Sequence, residues 1–272
     1  MADIKGAKGE DEIKLTKSHR LLEDKNILVL GVANKKSIAW IIVEALVREE
    51  AQVLVHCHPR DYDRVDSLIK EEEPELSCFS CDVNDDSQID ALFRNVVSHT
   101  SKLDGIVHCI AFAPKTELEG RYLDTSREGE RVAFETSSTS LKIIIKKFEP
   151  LLAKGASIVT LTYLGGERVI PNYNVMGPAK AALESTVRYL AMDLGEKKIR
   201  VNALSAPPVP TRSSRAIKDI ENAFEIYQKK APLGWIEVEK IANVACILLS
   251  DYTVAITGQT VYTDGGYNIL GL

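Results

Sequence analysis

Short apolar runs alternate with amphipathic segments along most of the chain. Residues 26–30 form a nearly continuous apolar run, which is typical of a strand buried on both faces of a sheet. In the next segment, Ile38, Ile41, Ile42, Ala45 and Leu46 fall on one face of a helix. Strands that alternate with helices in this way predict a parallel sheet with helices on both faces.

This pattern predicts a single α/β domain of the Rossmann type, with a doubly wound, mostly parallel sheet of seven strands. We expect the domain to cover residues 23–272 and the polar residues 1–22 to form a disordered arm. The predicted strands are 26–30, 52–55, 76–81, 105–109, 157–161, 200–204 and 259–262. The predicted helices are 37–50, 61–73, 87–97, 128–152, 174–195, 217–230 and 238–249.

Composition narrows the class of protein. The chain has 272 residues, of which 45% are apolar and 27% charged, the balance of a globular protein. A formal net charge of -5 argues against a nucleic-acid partner, since binding phosphates requires basic surface. No apolar run is long enough to cross a bilayer, and the N-terminal segment lacks the pattern of a secretion signal. We therefore expect a cytoplasmic protein without a membrane partner.

The cysteines give little sign of special chemistry. Their number, five, is odd and their spacing is irregular, which argues against a disulfide framework. Cys78 and Cys81 form a C-x-x-C pair, but they lie on a predicted strand and no second pair completes a metal site. We interpret them as small buried residues and expect no metal.

Candidate ligand-binding residues follow the predicted strands, at the sheet edge where such folds bind ligands. Gly31 allows a tight turn after the first strand, and Ser37 can cap the next helix, whose free N–H groups suit a pyrophosphate. With only one glycine, this signal is weak by itself, and an ordinary strand–helix connection explains it better. Asp82, which precedes Val83, could bind adenine or cap a helix, and small residues around Ala111 would let a flat ring approach.

Two tyrosines and a lysine are the candidate catalytic groups. Lys180 follows Tyr173 by seven positions, a spacing that returns to nearly the same helical face, so the two can address one ligand together, with Tyr173 either in the helix or at its entry. A phenol can donate to an oxygen that becomes negative, and a nearby ammonium favours that charge. Such a pair alone is also typical of a half-buried tyrosine beside a solvated lysine.

The surrounding motifs are more specific. Residues 162–167 read TYLGGE and residues 171–180 read PNYNVMGPAK, and this arrangement resembles the enoyl-acyl carrier protein reductases of bacterial fatty-acid synthesis, within the short-chain dehydrogenase/reductase superfamily. Ordinary members of that superfamily place the lysine four residues after the tyrosine, where this chain has Gly177. The resemblance runs from about Leu22 to the C-terminus and includes the segments 81–83, 110–113, 126–129, 200–203 and 264–266.

The resemblance implies that NADH, or possibly NADPH, reduces a trans-2-enoyl thioester linked to acyl carrier protein. Tyr173 would bind the thioester oxygen, Lys180 would bind the nicotinamide ribose, and Tyr163 would line the acyl pocket. It also implies a homotetramer in which the predicted helices 128–152 and 174–195 pack against symmetry mates, with Ile143–Ile145 as a candidate surface. The cofactor-binding residues implied are Gly31, Ser37, Ile38, His58, Asp82, Val83, Ile110, Ala111, Lys180, Val209 and Thr211.

Several positions depart from the family pattern. Ile41 and Glu50 replace glycines, the second at a helix end where we expect no harm, and Thr139 replaces a common aromatic residue. Pro207 and Pro210 stiffen the loop 207–217, which we expect to be an active-site lid whose motion is displaced to residues 211–216.

These departures keep two alternatives open. One is a catalytically weak paralogue that binds nucleotide or partners, because fold alone does not guarantee chemistry. The other is a carbonyl reductase of the same superfamily, against which the lysine spacing and Tyr163 argue. Cofactor choice is also open: His58 stands where relatives that use NADH often have glutamine, whereas Arg60 could attract the 2′-phosphate of NADPH. We favour NADH.

Overall fold

A single parallel sheet organises the chain in the computed structural model, which describes residues 19–271. Within these residues the sheet has seven strands in the order β3-β2-β1-β4-β5-β6-β7, and every pair is parallel. The order changes direction between β1 and β4, and the carboxyl ends of strands at such a switch point form a ligand-binding crevice. The strands are β1 Asn26–Val32, β2 Gln52–Cys57, β3 Ser77–Ser80, β4 Leu103–His108, β5 Leu152–Tyr163, β6 Arg200–Ala206 and β7 Thr260–Tyr262.

Helices cover both faces of the sheet, as predicted. Strand β1 shows why: Ile27 and Val29 belong to one apolar cluster, whereas Leu28 and Leu30 belong to the other. The first cluster packs against α1, α2 and α8, and the second against α3, α5 and α6. The helices are α1 Ile38–Arg48, α2 Tyr62–Glu72, α3 Asp86–His99, α4 Arg127–Phe134, α5 Ser140–Phe148, α6 Met176–Leu194, α7 Ile220–Lys230 and α8 Val238–Leu249.

The predicted helix 128–152 contains a π-helical turn and ends earlier than predicted. It divides into α4, a π-helical turn Glu135–Thr139, and α5, and residues from Leu152 onward already belong to β5. The turn contains buried polar side chains, and the Ser137 hydroxyl accepts a hydrogen bond from the Phe112 backbone N–H at 3.0 Å. The π-helical turn therefore contacts the segment that follows β4. Since such turns often occur at functional sites, we expect a site close to this end of the sheet.

The folded domain begins earlier than predicted. The Leu22 side chain is 0% exposed, and its backbone N–H donates to the Glu49 carbonyl oxygen at 3.1 Å. The predicted arm therefore ends before Leu22, and its residues 1–18 lie outside the described part of the chain.

The structure shows the local environment of two positions that depart from the family pattern, Glu50 and Ile41. Glu50 adopts a left-handed backbone conformation with φ +66° after α1, where a side chain costs about 1 kcal/mol relative to glycine. The Glu50 carboxylate is also paired with Arg20 at 3.2 Å, and the expectation that this change is harmless stays a prediction. Ile41 packs against the core cluster that includes α1.

Over residues 19–271, no helix combines the length and apolar character needed to cross a bilayer. In the same range no cluster of histidine, cysteine and acidic side chains could hold a metal ion. Cys81 is buried, and the Cys78 sulfur lies 3.7 Å from that of Cys57 rather than pairing within the C-x-x-C motif.

Candidate active site

A cleft with a volume of about 350 Å³ opens at the carboxyl ends of β1, β4, β5 and β6. This volume is in the range of small-molecule sites, and most of the cleft wall is apolar. Ten of the predicted site residues line it, and these come from separate loops along the chain. They are Gly31, Ser37, Ile38, Ile110, Ala111, Tyr163, Tyr173, Lys180, Val209 and Thr211.

Lys180 is held in the wall of this cleft by the first half of α6. Its side chain is buried, and Nζ donates to the Leu161 carbonyl oxygen at 2.7 Å. Burial lowers the pKa of Lys180 to about 8, because the charged form loses its hydration. The lysine is therefore a desolvated cation near neutrality, oriented by a carbonyl at the end of β5.

Tyr173 and Tyr163 meet in the same cleft with their rings edge to face and their centroids 5.2 Å apart. Burial raises the pKa of both phenols, so each remains protonated and can donate a hydrogen bond. Tyr173 lies in the turn before α6, between Asn172 and Asn174, which both have positive φ. Tyr173 therefore lies at the helix entry, and this turn rather than helical spacing brings it into the same cleft as Lys180.

Gly165 permits the approach of the two tyrosine rings. A Cβ atom at this position would lie 2.5 Å from Cδ1 of Tyr173 and 3.2 Å from Cδ1 of Tyr163. The Tyr173 ring could not keep its place beside a larger residue, and the Tyr163 ring would have to shift slightly. This role was not predicted from the sequence, in which the glycine pair shortly after Tyr163 is the only sign of it.

The Gly31 turn connects β1 to α1 at the edge of the cleft. Gly31 has φ +94°, and a Cβ atom there would lie 2.4 Å from the Cys109 carbonyl oxygen. Ser37 caps α1 as predicted, because its hydroxyl accepts a hydrogen bond from the Trp40 N–H at 3.3 Å. The first turn of α1 carries no acidic residue, so its positive end is open to an anion.

The end of β4 supplies the opposite wall. Ile110, Ala111 and Phe112 line the cleft, and the Arg60 guanidinium lies 5.4 Å from the centre of the Phe112 ring. A cation above an aromatic face stabilises both side chains where β2 and β4 end. Arg60, considered from sequence only for a 2′-phosphate, therefore has a structural partner as well.

The remaining predicted cofactor residues lie outside the cleft lining. His58 caps the turn after β2 by accepting from the Arg60 N–H at 3.1 Å, and its Nε2 lies 3.7 Å from Oδ2 of Asp82. Asp82 also accepts from the Asn84 N–H at 3.0 Å, whereas Asp85 is the residue that caps α3. Val83 is buried in a core cluster. Their assignment to the cofactor stays a prediction.

The proline-rich loop closes one side of the cleft. Its backbone is tied together by the Ser214 hydroxyl, which accepts from the Thr211 N–H at 2.9 Å and donates to the Val209 carbonyl oxygen at 2.7 Å. Ser214 therefore links residues 209–214 to one another, and the expected lid motion of this segment stays a prediction. Arg212 also lies 3.5 Å from Oδ1 of the buried Asp61, which links the loop to the region after β2.

A second cavity, of about 380 Å³, lies at the opposite edge of the sheet. It contains none of the predicted site residues and is lined mainly by charged side chains. Lys25 and Asp251 are already paired there at 2.9 Å, and Arg200 donates to the Leu248 and Ser250 carbonyl oxygens. The cleft at the carboxyl edge, with its apolar wall and convergent polar groups, is therefore the candidate active site.

Comparisons with known proteins agree with this geometry. The enoyl-(acyl carrier protein) reductase family profile matches residues 31–268. The enoyl-acyl-carrier-protein reductase (NADH) FabI of Bacillus subtilis is 42% identical over an alignment of 260 positions, and the match covers 91% of this chain and 97% of that protein.

Solved structures of relatives have the same fold. The Bacillus cereus enoyl-acyl carrier protein reductase, in complex with NADP+ and indole naphthyridinone, is 40% identical and has a TM-score of 0.89; the match covers 93% of this chain and 99% of that one. The enoyl-acyl-carrier-protein reductase (NADH) of Aquifex aeolicus is 42% identical, with a TM-score of 0.89 and the same coverage. The chain belongs to the enoyl-acyl carrier protein reductase family.

Proposed function

We propose that this protein reduces trans-2-enoyl thioesters on acyl carrier protein with NADH, in fatty-acid synthesis. One observation carries the proposal: Tyr163, Tyr173 and Lys180 converge on a single cleft that also contains the Gly31 turn. The relatives named above are enoyl-acyl-carrier-protein reductases, and those from B. subtilis and A. aeolicus are named as NADH enzymes.

The donors around the cleft fit a nicotinamide nucleotide. The positive end of α1 and the tight Gly31 turn suit the pyrophosphate, and the Lys180 ammonium suits ribose hydroxyls. Ala111 is small enough to leave room for a flat ring beside the end of β4. When bound, the reduced nicotinamide supplies a hydride to C3 of the enoyl thioester.

The chain's own residues then stabilise the charge that develops on the thioester oxygen. The Tyr173 phenol stays protonated because burial raises its pKa, so it can donate a hydrogen bond to that oxygen. Lys180 places a positive charge in the same desolvated cleft, where electrostatic stabilisation is stronger than in water. Tyr163 packs against Tyr173 and limits the space for the acyl chain.

A turnover assay with crotonyl thioester and NADH, followed at the nicotinamide absorbance, tests the proposal. We expect activity in the wild-type protein and a loss of about 100- to 1,000-fold in kcat for Tyr173→Phe, as for removal of one oxyanion donor. Tyr252→Phe is the matched control, since Tyr252 is exposed and does not line the cleft. A wild-type protein that binds NADH without turnover would instead support the weak paralogue.

The same assay with NADPH tests cofactor choice. The relatives from B. subtilis and A. aeolicus are named as NADH enzymes, and the Asp61 side chain, at the end of the turn that follows β2, lines the cleft, where a carboxylate suits a ribose 2′-hydroxyl. We propose NADH, and expect a higher kcat/KM for NADH than for NADPH. The reverse order would assign Arg60 to the 2′-phosphate rather than to Phe112 alone.

A further inference from the structure

His56 is a buried histidine that joins three strands beneath the Gly31 turn. It lies near the end of β2, and its side chain does not line the cleft. The Gly31 backbone N–H donates to Nδ1 of His56 at 3.2 Å. On the other side of the ring, Nε2 lies 3.0 Å from the Cys81 carbonyl oxygen, just beyond β3.

The reason for this contact is an irregularity in the sheet. Leu30 pairs with His56 and Val32 pairs with Cys57, so Gly31 is one residue too many in β1 and has no partner in the register. Such a bulge leaves a backbone N–H outside the ladder, and a buried N–H without a partner is strongly unfavourable. The His56 ring supplies the missing acceptor.

The two contacts together define one tautomer. Nδ1 must accept because its partner is an N–H, and Nε2 must donate because its partner is a carbonyl. Burial lowers the pKa of His56 to about 4, which keeps the ring neutral near pH 7 as this arrangement requires. The imidazole therefore acts as a rigid bridge with one acceptor end and one donor end.

We propose that His56 is a positioning residue for the nucleotide. By accepting the Gly31 N–H, it holds the Gly31 turn in the conformation that binds the cofactor. The inference rests on the proposed function, because the turn is taken to bind NADH. The Gly31 turn has no free space on the side of Cys109, whose carbonyl oxygen would lie 2.4 Å from a Cβ atom added to Gly31, and Ala33, Asn34 and Ser37 of the same connection line the cleft. A rotation of the Gly31 peptide would therefore also displace the cleft-lining residues that follow it in the same connection.

Two substitutions separate the ends of the bridge. In His56→Asn, the amide oxygen can take the place of Nδ1 and accept from Gly31, whereas the contact with Cys81 is lost. In His56→Gln, the longer amide can take the place of Nε2 and donate to the Cys81 carbonyl, whereas Gly31 loses its acceptor. His99→Gln on the exposed end of α3 is the control for removing an imidazole.

The primary measurement is the Kd for NADH, from fluorescence titration without substrate, together with the thermal midpoint. We expect His56→Gln to raise Kd about tenfold, as for loss of a hydrogen-bond partner to a buried N–H, while His56→Asn and His99→Gln stay close to wild type. In turnover, His56→Gln should raise KM for NADH and leave kcat and KM for crotonyl thioester unchanged.

Equal weakening by both His56 variants, or lower thermal midpoints with an unchanged Kd, would show that His56 only packs the core and would overturn the proposal. A wild-type protein that binds NADH without reducing the thioester would contradict the proposed function alone, and the Kd comparison would still decide the role of His56. A wild-type protein that binds neither NADH nor NADPH would overturn both.

Discussion

Lys180 shows how a single residue combines a cost in stability with a role in binding. Its ammonium is buried and has one hydrogen bond, to Leu161. Its pKa in the folded protein is about 8, below the usual value of 10.5, so folding disfavours the charged form. The penalty is therefore complete below pH 8 and disappears as pH rises from about 8 to above 10.5.

We predict that Lys180→Met stabilises the protein without ligand at pH 7, by about 3 kcal/mol in the free energy of unfolding. The gain should shrink between pH 8 and pH 10.5, where wild-type Lys180 loses its charge. NADH affinity should fall in the same variant, since the cation is gone. Urea denaturation at a series of pH values checks this, with Lys230→Met on the exposed end of α7 as control. A destabilised Lys180→Met at pH 7 would mean that the Leu161 contact outweighs desolvation.

Among the structural elements, the loop 207–217 is restricted by its prolines and also lines the cleft. Pro207 and Pro208 line the cleft, whereas Pro210 is exposed and does not. The ties through Ser214 show that the second half of the loop is also held in place. The loop is thus ordered by its own hydrogen bonds and is joined to Asp61 through Arg212.

We predict that Pro207→Gly changes NADH binding more than global stability, because a freer backbone must be ordered when the cofactor binds. Kd should rise about two- to fivefold, and the thermal midpoint should fall by no more than about 3 °C. Pro210→Gly is the matched control and should leave Kd unchanged. If Kd is constant in Pro207→Gly while the midpoint drops by several degrees, the loop is scaffold rather than lid.

At the scale of the whole molecule, the run Ile143–Ile145 is a poor candidate for the surface of the expected homotetramer. Ile144 and Ile145 are buried in the core of the same chain, so this run cannot supply the contact. On α6, by contrast, Tyr189 is 73% exposed and Met192 is 81% exposed. This apolar pair lies on one of the two helices that the family resemblance assigns to subunit contacts.

We predict a tetramer mass by light scattering at micromolar concentration, and partial dissociation in Met192→Glu because a carboxylate would be buried between subunits. Leu123→Glu, at an exposed leucine outside α6, is the control and should keep the wild-type mass. A monomer mass for the wild-type protein would remove the tetramer from the description of this chain.

The sequence by itself determined the class of fold and most of its elements. The apolar pattern has a period that differs between strands and helices, and this local property placed all seven strands and the Ser37 cap of α1. The separated motifs around Tyr173 and Lys180 also pointed to one family before any contact was known. These features depend on neighbours in the chain, which the sequence displays directly.

Only the tertiary structure decided the rest, because it depends on partners distant in sequence. The π-helical turn Glu135–Thr139 faces the end of β4, and Tyr173 reaches the cleft from a turn rather than from α6. Burial of Leu22 comes from packing against the core. The His56 bridge requires a bulge in β1 and a carbonyl beyond β3. Periodicity cannot reveal such contacts, since each is specified by the closure of the sheet and not by the residues beside it.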